Sequence, residues 1–118
     1  MKFQVLTESV IVQTRPEKQI NRLNAKIRDL PDQPGVYIFR DKHGREIYVG
    51  KAVNLFKRVS SYFQRGHADS EKTAALVSRI ADVDTVLCDS EAEALITESR
   101  LIRELRPKYN SELKESNS

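Results

Sequence analysis

Gly35-Val36-Tyr37-Ile38-Phe39-Arg40-Asp41-Lys42-His43-Gly44-Arg45-Glu46-Ile47-Tyr48-Val49-Gly50-Lys51 is the stretch on which the fold turns. Residues 36–40 and 45–49 are rich in β-branched and aromatic side chains, and the intervening Asp41-Lys42-His43-Gly44 is turn chemistry, so the segment reads as a β-hairpin. With a four-residue loop Arg40 faces Arg45, and counting outward Tyr37 faces Tyr48. Any even loop keeps both tyrosines on one face. Val36, Ile38, Ile47 and Val49 then take the other face, which reads as core.

Working outward, Ile20, Leu23, Ile27 and Leu30 recur at helical spacing. They predict a helix at about 16–29, opened by the capping pattern Thr14-Arg15-Pro16-Glu17 and stopped by Pro31 and Pro34. Short strands are expected within residues 3–13. Beyond the hairpin, Leu55, Val59 and Tyr62 form one stripe of a helix over 54–63, broken by Gly66. Asp69 is a candidate cap for a helix carrying Leu76, Val77 and Ile80. Residues 83–88 read as a third strand. Ser90-Glu91-Ala92-Glu93 is a capping box opening a helix to about Leu105, ended by Pro107. The expected fold class is α+β, a small antiparallel sheet flanked by helices.

The chain has 118 residues, the size of a single domain. It is 39% hydrophobic and 31% charged. It lacks an apolar run near the ~20 residues of a membrane span. A soluble, cytoplasmic protein with no membrane association is expected. Cys88 is the one cysteine, so no internal disulfide can form. The net charge is +3, and the excess is local. Between Gly50 and Ile80 stand Lys51, Lys57, Arg58, Arg65, Lys72 and Arg79 against Asp69 and Glu71. A basic middle suits a polyanion such as DNA, although a solvated helical surface has the same composition.

Several residues carry possible chemistry. The two tyrosines are either a cross-strand pair that stabilises the hairpin or part of a site. With about 100° per helical residue and Leu95 at zero, Glu98 falls near 300°, amid Ala94, Leu101, Ile102 and Leu105. A carboxylate on a buried face calls for a partner, either an ion pair, for example with Arg58, or a divalent cation. Oxygen ligation with retained waters suits magnesium. A helix beginning near Lys51 puts Lys51 and Arg58 on one face, with Asn54 a neighbour of Arg58. Asn110 follows Pro107 and either bonds the turn or serves a site. His43 and His67 lack partners at ligand spacing and read as surface residues.

Taken together these residues resemble the GIY-YIG nuclease family. Its paired signature is present as Gly35-Val36-Tyr37 and Tyr48-Val49-Gly50. The match is nearest to the UvrC-type N-terminal nuclease domain and its shorter homologue Cho. It extends through Leu30-Pro31, Lys51-Ala52, Asn54-Leu55, Arg58 to Phe63, Glu93-Ala94-Leu95, Glu98 and Arg106-Pro107-Lys108-Tyr109-Asn110. The resemblance implies a three-stranded antiparallel sheet with helices and single-metal hydrolysis of a DNA phosphodiester. It makes Tyr48 the general base or water activator, Tyr37 its support and Glu98 the one protein ligand of Mg2+ or Mn2+. It makes Lys51, Arg58 and Asn110 positioning groups for phosphate or water. DNA contacts are expected from Lys51, Asn54, Lys57, Arg58, Arg65 and Lys72.

The expected organisation is an N-terminal extension over 1–29, a nuclease domain over 30–115 and a frayed tail over 116–118. The expected function is a single-strand nick in DNA repair, of the kind made 3′ to a lesion, by a monomer targeted by other repair proteins. Alternatives are a nuclease for branched or mobile-element DNA and a non-catalytic DNA-binding adaptor. Two departures stand out. Arg100 occupies a position where many family members have asparagine. Within these 118 residues only one nuclease domain is expected, so the resemblance implies one incision and not two.

Overall fold

A computed structural model describes residues 17–64 and 70–117. The strands expected within 3–13, the cap at Thr14, Asp69, Arg65 and His67 lie outside the described residues. The elements run α1 (Glu17–Arg28), β1 (Gly35–Arg40), β2 (Glu46–Ala52), α2 (Leu55–Ser61), α3 (Glu71–Arg79), β3 (Asp82–Leu87), α4 (Glu91–Leu105) and α5 (Lys108–Asn117). The three strands form one antiparallel sheet in the order β2-β1-β3. Among the described residues no helix is long and apolar enough to cross a membrane.

Local chemistry fixes the boundaries. Asn54, Ser70 and Ser90 cap α2, α3 and α4, each side chain accepting from a backbone N–H three residues on. Glu93 reaches back to the N–H of Asp89, which completes the start of α4. In the hairpin turn Asp41 accepts from the N–H groups of His43 and Arg45, and Gly44 takes φ 81°. Arg40 then ties the sheet together, donating to Glu46 at 2.7 Å and to Asp84 on β3 at 2.8 Å.

The hairpin register differs from the four-residue-loop expectation. A bulge lies between the Phe39↔Tyr48 and Arg40↔Glu46 pairs, so Tyr37 stands opposite Gly50 and Tyr48 opposite Phe39. The tyrosines keep a common face but are diagonal neighbours, with ring centroids 6.2 Å apart. The extra residue at the bulge changes the local alternation, and Ile47 packs in the tyrosine-side cluster rather than with Val36 and Ile38.

Both faces of the sheet are covered. The larger core gathers Tyr37, Phe39, Leu55, Val59, Leu76 and Ile80 with Leu23 and Ile27 of α1. The smaller core packs Val36, Ile38, Val49 and Cys88 against Ala94 of α4. Small Ala94 and Thr97 form the buried face of α4, while Leu95 is 50% exposed. Glu98 therefore lies at the margin of the buried face, not at its centre. Arg106 closes α4 in the left-handed conformation (φ 48°), and Pro107 prevents helix continuation there. The chain then re-enters a helix, α5, which runs from Lys108 to Asn117.

Candidate active site

Strand β2 and helix α4 run side by side and carry three of the candidate residues, Tyr48, Lys51 and Glu98. Tyr48, on β2, and Glu98, on α4, line one cavity of about 540 Å³ with Ile102, Arg106 and Asn110. Lys51, Asn54, Lys57 and Arg58 line an adjacent cavity of about 670 Å³, closed on the far side by Ala94 and Leu95. Lys51 and Arg58 do not share the expected helical face, because Lys51 belongs to β2 and α2 begins only at Leu55. The turn between them brings Lys51 and Arg58 to the same cavity regardless.

Tyr37 lines neither hollow. It is 1% exposed, and its phenol shares a 2.8 Å hydrogen bond with that of Tyr62. Arg58 donates to the Tyr62 oxygen at 3.3 Å and lies 5.0 Å from that ring's centre. Tyr37 and Tyr62 thus form a buried relay that ends at Arg58, itself exposed and lining the first cavity. Tyr62 is the residue that sequence reading passed over. Its signal was its position four residues after Arg58, a helical neighbour that had been counted only as core.

The signature glycines answer to space. A Cβ at Gly50 would collide with the Tyr37 hydroxyl and ring. One at Gly35 would lie 2.6 Å from the Val86 carbonyl oxygen and 2.7 Å from Leu55. Each glycine therefore admits a neighbouring group that the site or its scaffold requires.

Burial pushes the Tyr37 phenol well above its ordinary value, with Tyr62 and Tyr48 adding to the effect. Burial likewise raises Tyr48; Tyr62 and Glu98 reinforce it, and Arg58 opposes it. Burial thus outweighs the Arg58 charge, and the metal-free Tyr48 phenol holds its proton at neutral pH. Burial disfavours the Arg58 cation, but the phenols of Tyr37 and Tyr62 more than compensate and raise its pKa.

Glu98 is the one carboxylate among the described residues lining its cavity. No salt bridge among the described residues reaches it, so the expected alternative of an Arg58 pair is not formed. A half-buried carboxylate open to a cavity of this size fits a hydrated magnesium ion, which often takes only one or two protein carboxylates.

The remaining candidates are placed differently. Both polar ends of Asn110 engage Val49 on β2: Oδ1 accepts from its N–H and Nδ2 donates to its carbonyl, each at 2.8 Å. Asn54 uses its side-chain oxygen to cap α2. Lys72 lies on α3, donates to the Glu112 carbonyl of α5 and lines neither cavity. Arg100 is exposed on α4.

Residues 33–111 match the family model described as the UvrC-like GIY-YIG domain. The UvrABC system protein C of Prosthecochloris aestuarii is 48% identical over 103 residues, covering 85% of this chain and 17% of its own length. That of Moorella thermoacetica is 50% identical over 96 residues, covering 81% and 15%. The chain thus spans less than a fifth of the length of these curated relatives. A crystal structure of the GIY-YIG N-terminal endonuclease domain of UvrC from Thermotoga maritima, bound to its catalytic magnesium, is also similar. It has a TM-score of 0.66 at 39% identity, covering 75% of this chain and 94% of that one.

Proposed function

The chain belongs to the UvrC-like GIY-YIG family, and from that premise we propose that it nicks one strand of DNA by metal-dependent hydrolysis of a phosphodiester. The observation that carries this reading is the meeting of a phenol and a lone carboxylate, Tyr48 and Glu98, in one cavity. The guanidinium of Arg58 and the ammonium of Lys51 line the neighbouring cavity.

Glu98 holds the divalent cation, Mg2+ or alternatively Mn2+. When bound, it supplies charge stabilisation for the oxygen that leaves. Tyr48 orients the attacking water by hydrogen bonding and takes its proton as the new bond forms. Because the resting phenol is protonated, the water donates to the phenol oxygen's lone pair, and Tyr48 passes its own phenolic proton to solvent in the same step as it takes the water's, so the phenol never carries two protons. Lys51 and Arg58 bind the phosphate and offset the charge that grows on it. Tyr37 and Tyr62 are positioning residues: their shared hydrogen bond and the Arg58–Tyr62 contact fix the guanidinium. Asn110 is also a positioning residue, since it clasps the backbone immediately after Tyr48.

The reading extends to a cytoplasmic monomer that works beside other repair proteins, as the name of its relatives, UvrABC system protein C, implies for them. The test is nicking of a supercoiled plasmid with Mg2+ and with chelator. Activity should require the metal, and Glu98→Ala should lower it by at least 100-fold, about 2.7 kcal/mol of transition-state stabilisation. Glu98→Ala protein that nicks as fast as wild type overturns the assignment.

A further inference from the structure

Resting on that nuclease reading, we propose that the DNA backbone runs along the full β2–α4 seam, gripped at its far end by a second basic cavity that includes Arg45, Arg79, Arg106 and Lys108. Three hollows lie along the seam in order. Lys51 and Leu95 belong to the first, Tyr48 and Glu98 to the second. Arg45, Glu46, Leu105 and Arg106 belong to the third, a cavity of about 270 Å³. Sequence numbers fall along β2 as they rise along α4, so the two antiparallel elements line all three hollows together. Arg106 lines both the second and the third, so the two are neighbours.

The third hollow is positively charged in effect. Its four cations outnumber its two carboxylates: Glu46 pairs with Arg40 outside the hollow, and Asp41 accepts from the N–H groups of His43 and Arg45. Its four cations are all exposed and enter no salt bridge among the described residues. Tyr109 adds an aromatic wall beneath the ammonium of Lys108, 5.5 Å from the ring centre. The 15-residue helix α4 is about 22 Å long at ~1.5 Å per residue. Along a duplex that length spans roughly six base pairs at ~3.4 Å per step. Glu98 sits near its middle. The reacting phosphate thus has a cationic hollow on each side, and the chain needs DNA on both sides of the cut.

Binding of a fluorescent duplex of about 20 base pairs in chelator, over about 25 to 200 mM salt, tests this without any chemistry. The Arg45→Gln/Arg79→Gln protein should show a salt slope shallower than wild type by about 1.8, or ~0.9 for each lost phosphate contact. Lys18→Gln/Arg22→Gln, which removes the same charge from exposed positions of α1, should leave the slope within about 0.5 of wild type. Lys108→Gln alone, expected to make the slope shallower by about 0.9, shares no residue with the first pair and keeps the test open should that pair fold poorly. Equal slopes for the seam and α1 variants, or a wild-type slope near zero, overturn the track. If the slopes are equal while plasmid nicking still requires metal and Glu98, the track fails and the nuclease reading stands. A slope change confined to the seam variants supports the track whatever the nicking assay gives.

Discussion

Tyr48 is the side chain whose hydroxyl matters to reaction more than to folding. Its ring stacks on Phe39 at 6.2 Å and meets Tyr62 at 6.4 Å, contacts that phenylalanine retains. Its side chain lines the Glu98 cavity. Tyr48→Phe should therefore reduce nicking by about 100-fold or more, the scale of a lost proton-transfer group. The melting temperature should move by no more than a few degrees. A variant that keeps full activity would remove Tyr48 from the chemistry. Tyr37 differs in kind, because its hydroxyl is sealed in the core and bonds only within the relay. The glycines beside these rings matter for a related reason: a methyl group in place of hydrogen occupies the volume the phenol needs.

At the level of elements, β2 is an edge strand whose backbone is exposed to mispairing unless something covers it. Asn110, at the start of α5, covers one residue of it with both halves of its amide. Asn110→Ala should cost about 1–3 kcal/mol in urea unfolding, because Val49 loses two partners at once. Nicking should fall with it as Tyr48 loosens. The other sheet edge is tied through Arg40. Its guanidinium holds the Asp84 carboxyl below the ordinary 3.8. A lowered folded value means stability present above the ordinary carboxylate range and lost as pH falls through the folded one. Asp84→Asn should thus flatten the decline of stability below about pH 4. At neutral pH it should cost no more than ~1 kcal/mol, since the pair is partly exposed and screened. Urea midpoints measured from neutral to acid pH check both statements.

For the molecule as a whole, the larger core joins α1 to the sheet. Leu23 is 2% exposed and packs in the same cluster as Tyr37 and Phe39. Lys26 adds an ion pair to Asp82 at 2.8 Å. Leu23→Ala should destabilise by about 2–5 kcal/mol, the usual cost of emptying a leucine site. It should lower the melting temperature of the entire domain in one transition. A second, separate transition would mark α1 as independent of the sheet. The same core supports the site: Leu55 and Val59 fasten the helix that presents Arg58, and Tyr62 belongs both to that core and to the relay.

The chain's own order of residues determined the element types and their succession, because turns, caps and periodic apolar stripes are local. It also determined Glu98 as an odd carboxylate on an apolar helix face, and it carried the signature tyrosines and glycines. Tertiary structure alone decided the hairpin register, since the bulge at Ile47 depends on the Asp41 turn and on Arg40 reaching two strands. It decided which way α4 turns, because small Ala94 and Thr97 allow close approach to the sheet and roll Leu95 outward. It decided that Asn110 clasps Val49 across 61 positions of chain, and that Tyr62 meets Tyr37. Those contacts depend on distance in space, and no local periodicity encodes them.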